Sequence, residues 1–118
     1  MIDITRQVAS LLAGMEITSG ALHVFSPHTT AGITINEACD PDVAADMLQH
    51  LSKLVPRDEN FRHAEGNSDA HIKTSLVGPG VIVPVENGKL ALGAWQGIFF
   101  CEFDGPRNRN VWVQAIKG

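Results

Sequence analysis

The sequence predicts an α+β domain with two to three helices and a mostly antiparallel β-sheet. Three observations predict it. Two stretches carry apolar residues at helical spacing in the first half. A set of short alternating runs fills the second half, and an Asn87-Gly88 hairpin signal lies among them. At 118 residues the chain has the size of one domain, 1–118, with one core.

Ile4, Val8, Leu11, Leu12 and Met15 recur at helical spacing, with Asp3 or Thr5 as a possible cap and Gly14 near the end. Ala21 to Ser26 reads as a strand that Pro27 ends, and Ala31 to Glu37 reads as a second. In the latter, Glu37 continues the face of Ile33 and Ile35. The clearest element follows. Asp40 is a good N-cap, Pro41 suits the first helical position and Asp42 complements the helix dipole. Val43, Met47, Leu48, Leu51, Leu54 and Val55 form its apolar stripe, and Pro56 stops it.

Arg57 to Asn67 is a long polar loop, a place where function often resides. A short helix, capped by Asn67 or Ser68, runs through His71 to about Leu76, and Gly78-Pro79-Gly80 breaks it. Val81, Val83 and Val85 then alternate with Ile82 and Pro84, and the proline suggests a sheet edge or a bulge. Leu90 and Leu92 continue the pattern after the hairpin. Ile98 to Phe103 is apolar almost throughout, as in a strand buried on both faces or at a subunit contact. Asp104-Gly105-Pro106 is a turn, and Val111, Val113 and Ala115 belong to a last strand.

Composition narrows the classes of function. Net charge is −4 and no Lys/Arg run occurs, so nucleic acid is not an expected partner. No stretch approaches the roughly 18 apolar residues of a membrane span. The start, MIDITRQVAS, lacks the basic and apolar regions of a signal peptide. Cys39 and Cys101 form no CxxC or regular framework. A cytoplasmic protein with reduced thiols is the expectation.

Of five histidines, His23 on a strand and His50 on a helix flank read as packed or solvated. The other three sit among polar groups. His28 opens the turn His28-Thr29-Thr30-Ala31-Gly32. His63 and His71 bracket Glu65, Asn67 and Asp69. Three imidazoles suit zinc with one position open, and Glu37, Glu65 or Asp69 could serve as fourth ligand, second-shell partner or general base. The spacing is neither HExxH nor a zinc-finger pattern, so a polar loop satisfied by backbone carbonyls stays open. Arg107 and Arg109 point to one side of an extended segment, where two guanidiniums favour phosphate or carboxylate. The competing reading is a solvated turn with rim salt bridges. Trp95 is expected in the core.

These residues fall into four ordered motifs. His28-Thr29-Thr30-Ala31-Gly32-Ile33, Ile35-Asn36-Glu37 and Asp40-Pro41-Asp42-Val43 with Asp46 resemble the first signature of the YjbQ family. His63-x-Glu65-Gly66-Asn67-x-x-Ala70-His71 resembles the second. Gly88-x-Leu90-x-Leu92-Gly93-x-Trp95-Gln96 and Asp104-Gly105-Pro106-Arg107-x-Arg109 resemble the third and fourth. The resemblance covers the chain from about Ile4 to its end. It implies a layered, mostly antiparallel β-sheet sandwich and a homotrimer with a site at a subunit boundary.

By the same resemblance, His28, His63 and His71 hold a divalent metal, zinc by ligand type. Glu37, Glu65 and Asp46 are its catalytic positions. Thr29, Thr30, Asn36, Asn67, Gln96, Arg107 and Arg109 bind substrate or an anion, and the partner is a small phosphorylated molecule. The activity implied is a weak thiamine-phosphate synthase reaction, which joins hydroxymethylpyrimidine diphosphate to thiazole phosphate and releases pyrophosphate. A non-catalytic trimer that binds metal or anion is the alternative. The dedicated enzyme for that step is a TIM barrel, which needs about 200 residues or more. Relatives usually carry a strand before the first helix, whereas this chain opens almost directly into Ile2-Asp3-Ile4-Thr5.

Overall fold

The computed structural model describes residues 1–118. Its elements in chain order are β1 (Ile2–Asp3), α1 (Thr5–Ala13), β2 (Ser19–Phe25), β3 (Ala31–Glu37), α2 (Pro41–Leu54), α3 (Ser68–Val77), β4 (Gly80–Glu86), β5 (Lys89–Leu90), β6 (Gln96–Glu102) and β7 (Trp112–Lys117). They form the expected α+β sandwich. One sheet has the order β1-β6-β3 and the other β5-β4-β2-β7, and every pairing is antiparallel. The strand before the first helix is present as two residues, Ile2 opposite Phe100 and Asp3 opposite Phe99.

The core lies between the sheets. Leu22, Val24, Val83 and Val85 come from one, Ala31, Ile33, Ile98 and Phe100 from the other, and Val8 and Leu12 of α1 close the end. Period-two alternation explains the β4 contribution, because Val83 and Val85 turn inward while Ile82 turns out. β6 is the middle strand of its sheet, which accounts for its unbroken apolar run from Ile98 to Cys101. Burial raises the Cys101 thiol to about 11, so it is a packing group and not a nucleophile.

The Asn87-Gly88 turn has both residues at positive φ, 52° and 74°, as a type I′ hairpin requires. Pro84 fits because its carbonyl accepts from Ala91 N at 2.8 Å, on the side away from β2. A strand residue's N–H and C=O point the same way, so the missing donor costs no β2 pairing. Trp95 departs from expectation. It sits in the turn before β6 and is 65% exposed, because that segment loops outside the sheets.

The helices differ. α1 buries Val8 and Leu12. α2 starts as expected, with Asp40 Oδ1 accepting from Asp42 N at 2.9 Å, yet none of its residues is buried. Its apolar stripe is only partly covered, with Val43, Met47, Leu48 and Leu51 half-buried and Leu54 61% exposed. The radius of gyration, 15.5 Å, exceeds the ~13.5 Å of a compact domain this size. α3 lies against β3. Gly32 permits this, since a Cβ there would sit 2.6 Å from the Gly78 carbonyl oxygen at the helix end.

Candidate functional site

Four segments meet at one end of the sandwich. They are the β2–β3 turn, the loop before α3, the first turns of α3 and the β6–β7 loop. Between them lies a cavity of about 430 Å³ lined by Pro27, His28, Thr29, Thr30, His63, Glu65, Asn67, His71, Asp104, Arg107 and Arg109. The three histidines singled out in the sequence therefore share one pocket with both arginines.

The turn is locked from behind. The buried Ser26 hydroxyl donates to the Ala31 carbonyl at 2.7 Å, and His28 N donates to Ser26 Oγ at 3.4 Å. Asn110 N donates to His28 Nε2 at 2.9 Å. A neutral His28 therefore carries its proton on Nδ1, and its Nε2 lone pair is already used. His63 and His71 lie edge to face with ring centroids 5.6 Å apart.

The arginines have different jobs. Arg109 is nearly buried, with its side chain 12% exposed. It grips Glu102 with two N–H groups, one at 2.7 Å, and reaches Thr30 Oγ1 at 2.8 Å. It braces the turn. Arg107 is half exposed, donates to the Asp104 carbonyl and carboxylate at 2.9 and 2.8 Å, and lies 3.4 Å from Glu65. It is the guanidinium a ligand would meet. Asn67 stands at the α3 N-cap but does not cap it. Its amide N–H groups go to Glu65 at 2.9 Å and Asp104 at 2.8 Å, leaving its buried Oδ1 without a partner. The helix thus gives up a cap bond to the pocket.

These contacts set the electrostatics. The Arg109 guanidinium holds Glu102 below the usual carboxylate range, and Glu102 in turn raises Arg109. The Asn67 amide, then Arg107, holds Asp104 low. Glu65, Glu102 and Asp104 outnumber the two guanidiniums by one charge.

Not every expected residue arrives here. Glu65, Asn67, Thr29, Thr30, Arg107 and Arg109 do. Glu37 instead accepts from Asp40 N at 2.9 Å, and Asn36 accepts from Glu37 N at 2.7 Å. Gln96 accepts from Gly93 N at 2.8 Å, and Asp46 lies on α2 beside Thr34, Met47 and His50. β3 separates the two groups. Glu37 is seven residues beyond Thr30, on the order of 20 Å along a strand. His50 is solvated and His23 stacks on Phe25, as read from the sequence. Glu102 and Asp104 are the residues that sequence reasoning missed. Asp104 stands in the fourth motif, and the signal for its role is its place three residues before Arg107, although the sequence reading gave it no site role.

For a metal, the donor types suit zinc. Within one chain, however, no three His, Cys, Asp or Glu side chains converge on one point. His63 and His71 are the nearest imidazole pair.

The fold and pocket define a small two-sheet α+β protein with a wholly polar site. The chain belongs to the YjbQ family: the family model described as UPF0047 protein YjbQ-like matches residues 1–118. The UPF0047 protein YugU of Bacillus subtilis is 56% identical, covering 98% of this chain and 89% of its own length. The UPF0047 protein MJ1081 of Methanocaldococcus jannaschii is 51% identical, covering 98% and 84%. A crystal structure of an uncharacterized conserved YjbQ/UPF0047 protein from Clostridium acetobutylicum superimposes with a TM-score of 0.95 at 54% identity, covering 98% of this chain and 89% of that one. A YbjQ-like protein of unknown function from Sulfolobus solfataricus gives 0.94 at 32%, covering 99% and 86%. No helix is long and apolar enough to cross a membrane.

Proposed function

We propose that the polar pocket is a reaction site for a small phosphorylated metabolite, assisted by a divalent metal that is zinc by ligand type. The observation that carries this is the convergence of His28, His63, His71, Glu65 and Arg107 in one cavity. Arg107 would hold phosphate oxygens, with the neutral His28 contributing its Nδ1–H and the Thr29 hydroxyl left to pair with a hydroxyl of the substrate. Glu65, half out in solvent and with Oε1 unpaired within the chain, is placed to take a proton from a substrate hydroxyl or water. Arg109 and Glu102 keep Thr30 in position.

The charge balance supports a metal. Among the lining residues Glu65 and Asp104 balance Arg107 and Arg109, and an added dication would make the pocket attractive to phosphate. His63 and His71 would hold it, with His28 joining once it releases Asn110. Bound there, the metal would polarise a phosphoryl oxygen. A weak thiamine-phosphate synthase-type transfer is the narrower form of this reading.

A homotrimer fits the same picture. The half-buried stripe of α2, with Leu54 at 61% and Leu76 of α3 at 58% exposed, offers apolar surface that this chain does not cover. Glu37 and Asp46 lie on that side of the molecule, where a neighbouring copy could use them. The second reading, a binding trimer without turnover, uses the same groups.

Elemental mass spectrometry of untagged protein is the first test, followed by assay of phosphorylated metabolites for released phosphate or pyrophosphate. About one zinc per chain, lost in folded His63→Ala and His71→Ala, together with turnover, is the expected result. Tight binding without conversion of any candidate would leave the non-catalytic reading. Absence of zinc after incubation with it would remove the metal. A monomer in sedimentation velocity would end the trimer.

A further inference from the structure

Resting on that reading of the pocket, we infer that its ligand is a polyhydroxylated, non-aromatic phosphate ester, of the sugar-phosphate or polyol-phosphate class. None of the eleven lining residues is hydrophobic, and none of the chain's five phenylalanines or two tryptophans is among them. Pockets for ring-bearing ligands are mostly apolar, with a few polar groups to fix orientation. Apart from Pro27, the side chains a ring would meet all carry charged or hydrogen-bonding groups. It would desolvate them and return no hydrogen bond.

The imidazoles do not change this. His63 and His71 already pack edge to face on each other, and His28 is pinned through Nε2 to Asn110. An aromatic cleft lies elsewhere on the molecule. Phe25 and Trp112, 5.8 Å apart, line a separate 150 Å³ hollow with His23 and Gln114, and it shares no residue with the polar pocket.

The wall also specifies what the ligand must offer. Arg107 and the neutral His28 Nδ1–H are donors, Glu65 and Asp104 are acceptors, and Thr29 is both. A bare phosphate has no donor beyond its own P–OH and leaves the carboxylates facing like charge. Hydroxyl groups beside the phosphate donate to Glu65 while the phosphate takes Arg107. The same logic makes transfer between heteroaromatic phosphates a side reaction of this site.

Isothermal titration of the protein with ribose 5-phosphate, phenyl phosphate and inorganic phosphate tests this, because the two esters carry the same charged group. Ribose 5-phosphate should bind at least about tenfold more tightly than phenyl phosphate. Thr29→Val should narrow that gap roughly three- to tenfold, one hydrogen bond's share, by weakening the sugar ester alone. Phenyl phosphate binding as tightly or more tightly overturns the inferred class and leaves the phosphate site standing. A gap unmoved by Thr29→Val counts against matching through hydroxyls. Binding by none of the three overturns the phosphate reading itself.

Discussion

α2 and α3 are near-opposites. α2 has a side-chain cap, a proline at its first position and a regular apolar stripe, yet none of its residues is fully buried. α3 has no side-chain cap and no apolar stripe, yet it buries Asp69, Ala70, Lys73 and Thr74 while Ile72 and Leu76 face out. Amphipathicity thus says that a helix forms, not which surface receives it. The receiving surface of α3 is β3, and what goes inward is a polar stripe closed by the Asp69–Lys73 ion pair at 3.0 Å, both side chains about nine-tenths buried. The helix that carries His71 therefore packs through a polar face, and the helix outside the site has no fully buried residue.

The largest expected effect breaks that contrast at Lys73. Lys73→Ala leaves Asp69 buried without its partner and should cost ~3–5 kcal/mol in urea unfolding. Asp69→Leu with Lys73→Met should cost far less, since no charge is then stranded. Leu54→Ala on α2 should cost within about 0.5 kcal/mol if α2 is as open in solution as its 61% exposure indicates. A loss well above that would mean that another copy covers the helix.

A middle-sized effect separates the two arginines. Arg109→Ala strands Glu102 and should cost ~2–3 kcal/mol, whereas Arg107→Ala, at a half-exposed surface bridge, should cost under ~1 kcal/mol and act on phosphate binding instead. The sign with pH follows from the depressed carboxylates. Glu102 and Asp104 sit below their unfolded values of ~4.3 and ~3.9, so their stabilisation is fully present above that range. It disappears as pH falls through the lower folded values. Urea midpoints between pH 6 and 2 should fall on the acid side in the parent, and fall less steeply in Arg109→Ala.

Much of this was legible before any coordinates. Pro56, Gly78-Pro79-Gly80 and Asn87-Gly88 punctuate the chain where the elements end, because each imposes a backbone geometry of its own. His28, His63 and His71 were readable as a cluster because polar residues in turns have few structural reasons to gather. Other features were not legible because they are set across the chain. Glu102 looked like the end of an apolar run, and only the return of the β6–β7 loop brings Arg109 onto it. Trp95 looked like core, since sequence gives its size but not the loop that carries it outward. Glu37, Asn36 and Asp46 share the first motif with His28, Thr29 and Thr30, yet the length of β3 and the start of α2 beyond it keep them out of the pocket within one chain, and Gln96 pairs with Glu37 at that far end.

The smallest effect tests whether helix ends matter as the comparison implies. Asp40 caps α2 through Asp42 N, and that helix has no buried side chain to fall back on. Asp40→Ala should therefore cost about 1 kcal/mol, expressed locally as faster amide exchange in the first turn of α2. Asn67 at the equivalent place on α3 makes no cap bond, so Asn67→Ala should leave exchange in the first turn of α3 near its parent value. Its effect should fall on Asp104, which loses the donor that holds it low, and so on the pH dependence of the pocket. Equal exchange changes in the two first turns would mean that Asn67 caps α3 in solution and that the amide is not committed to the site.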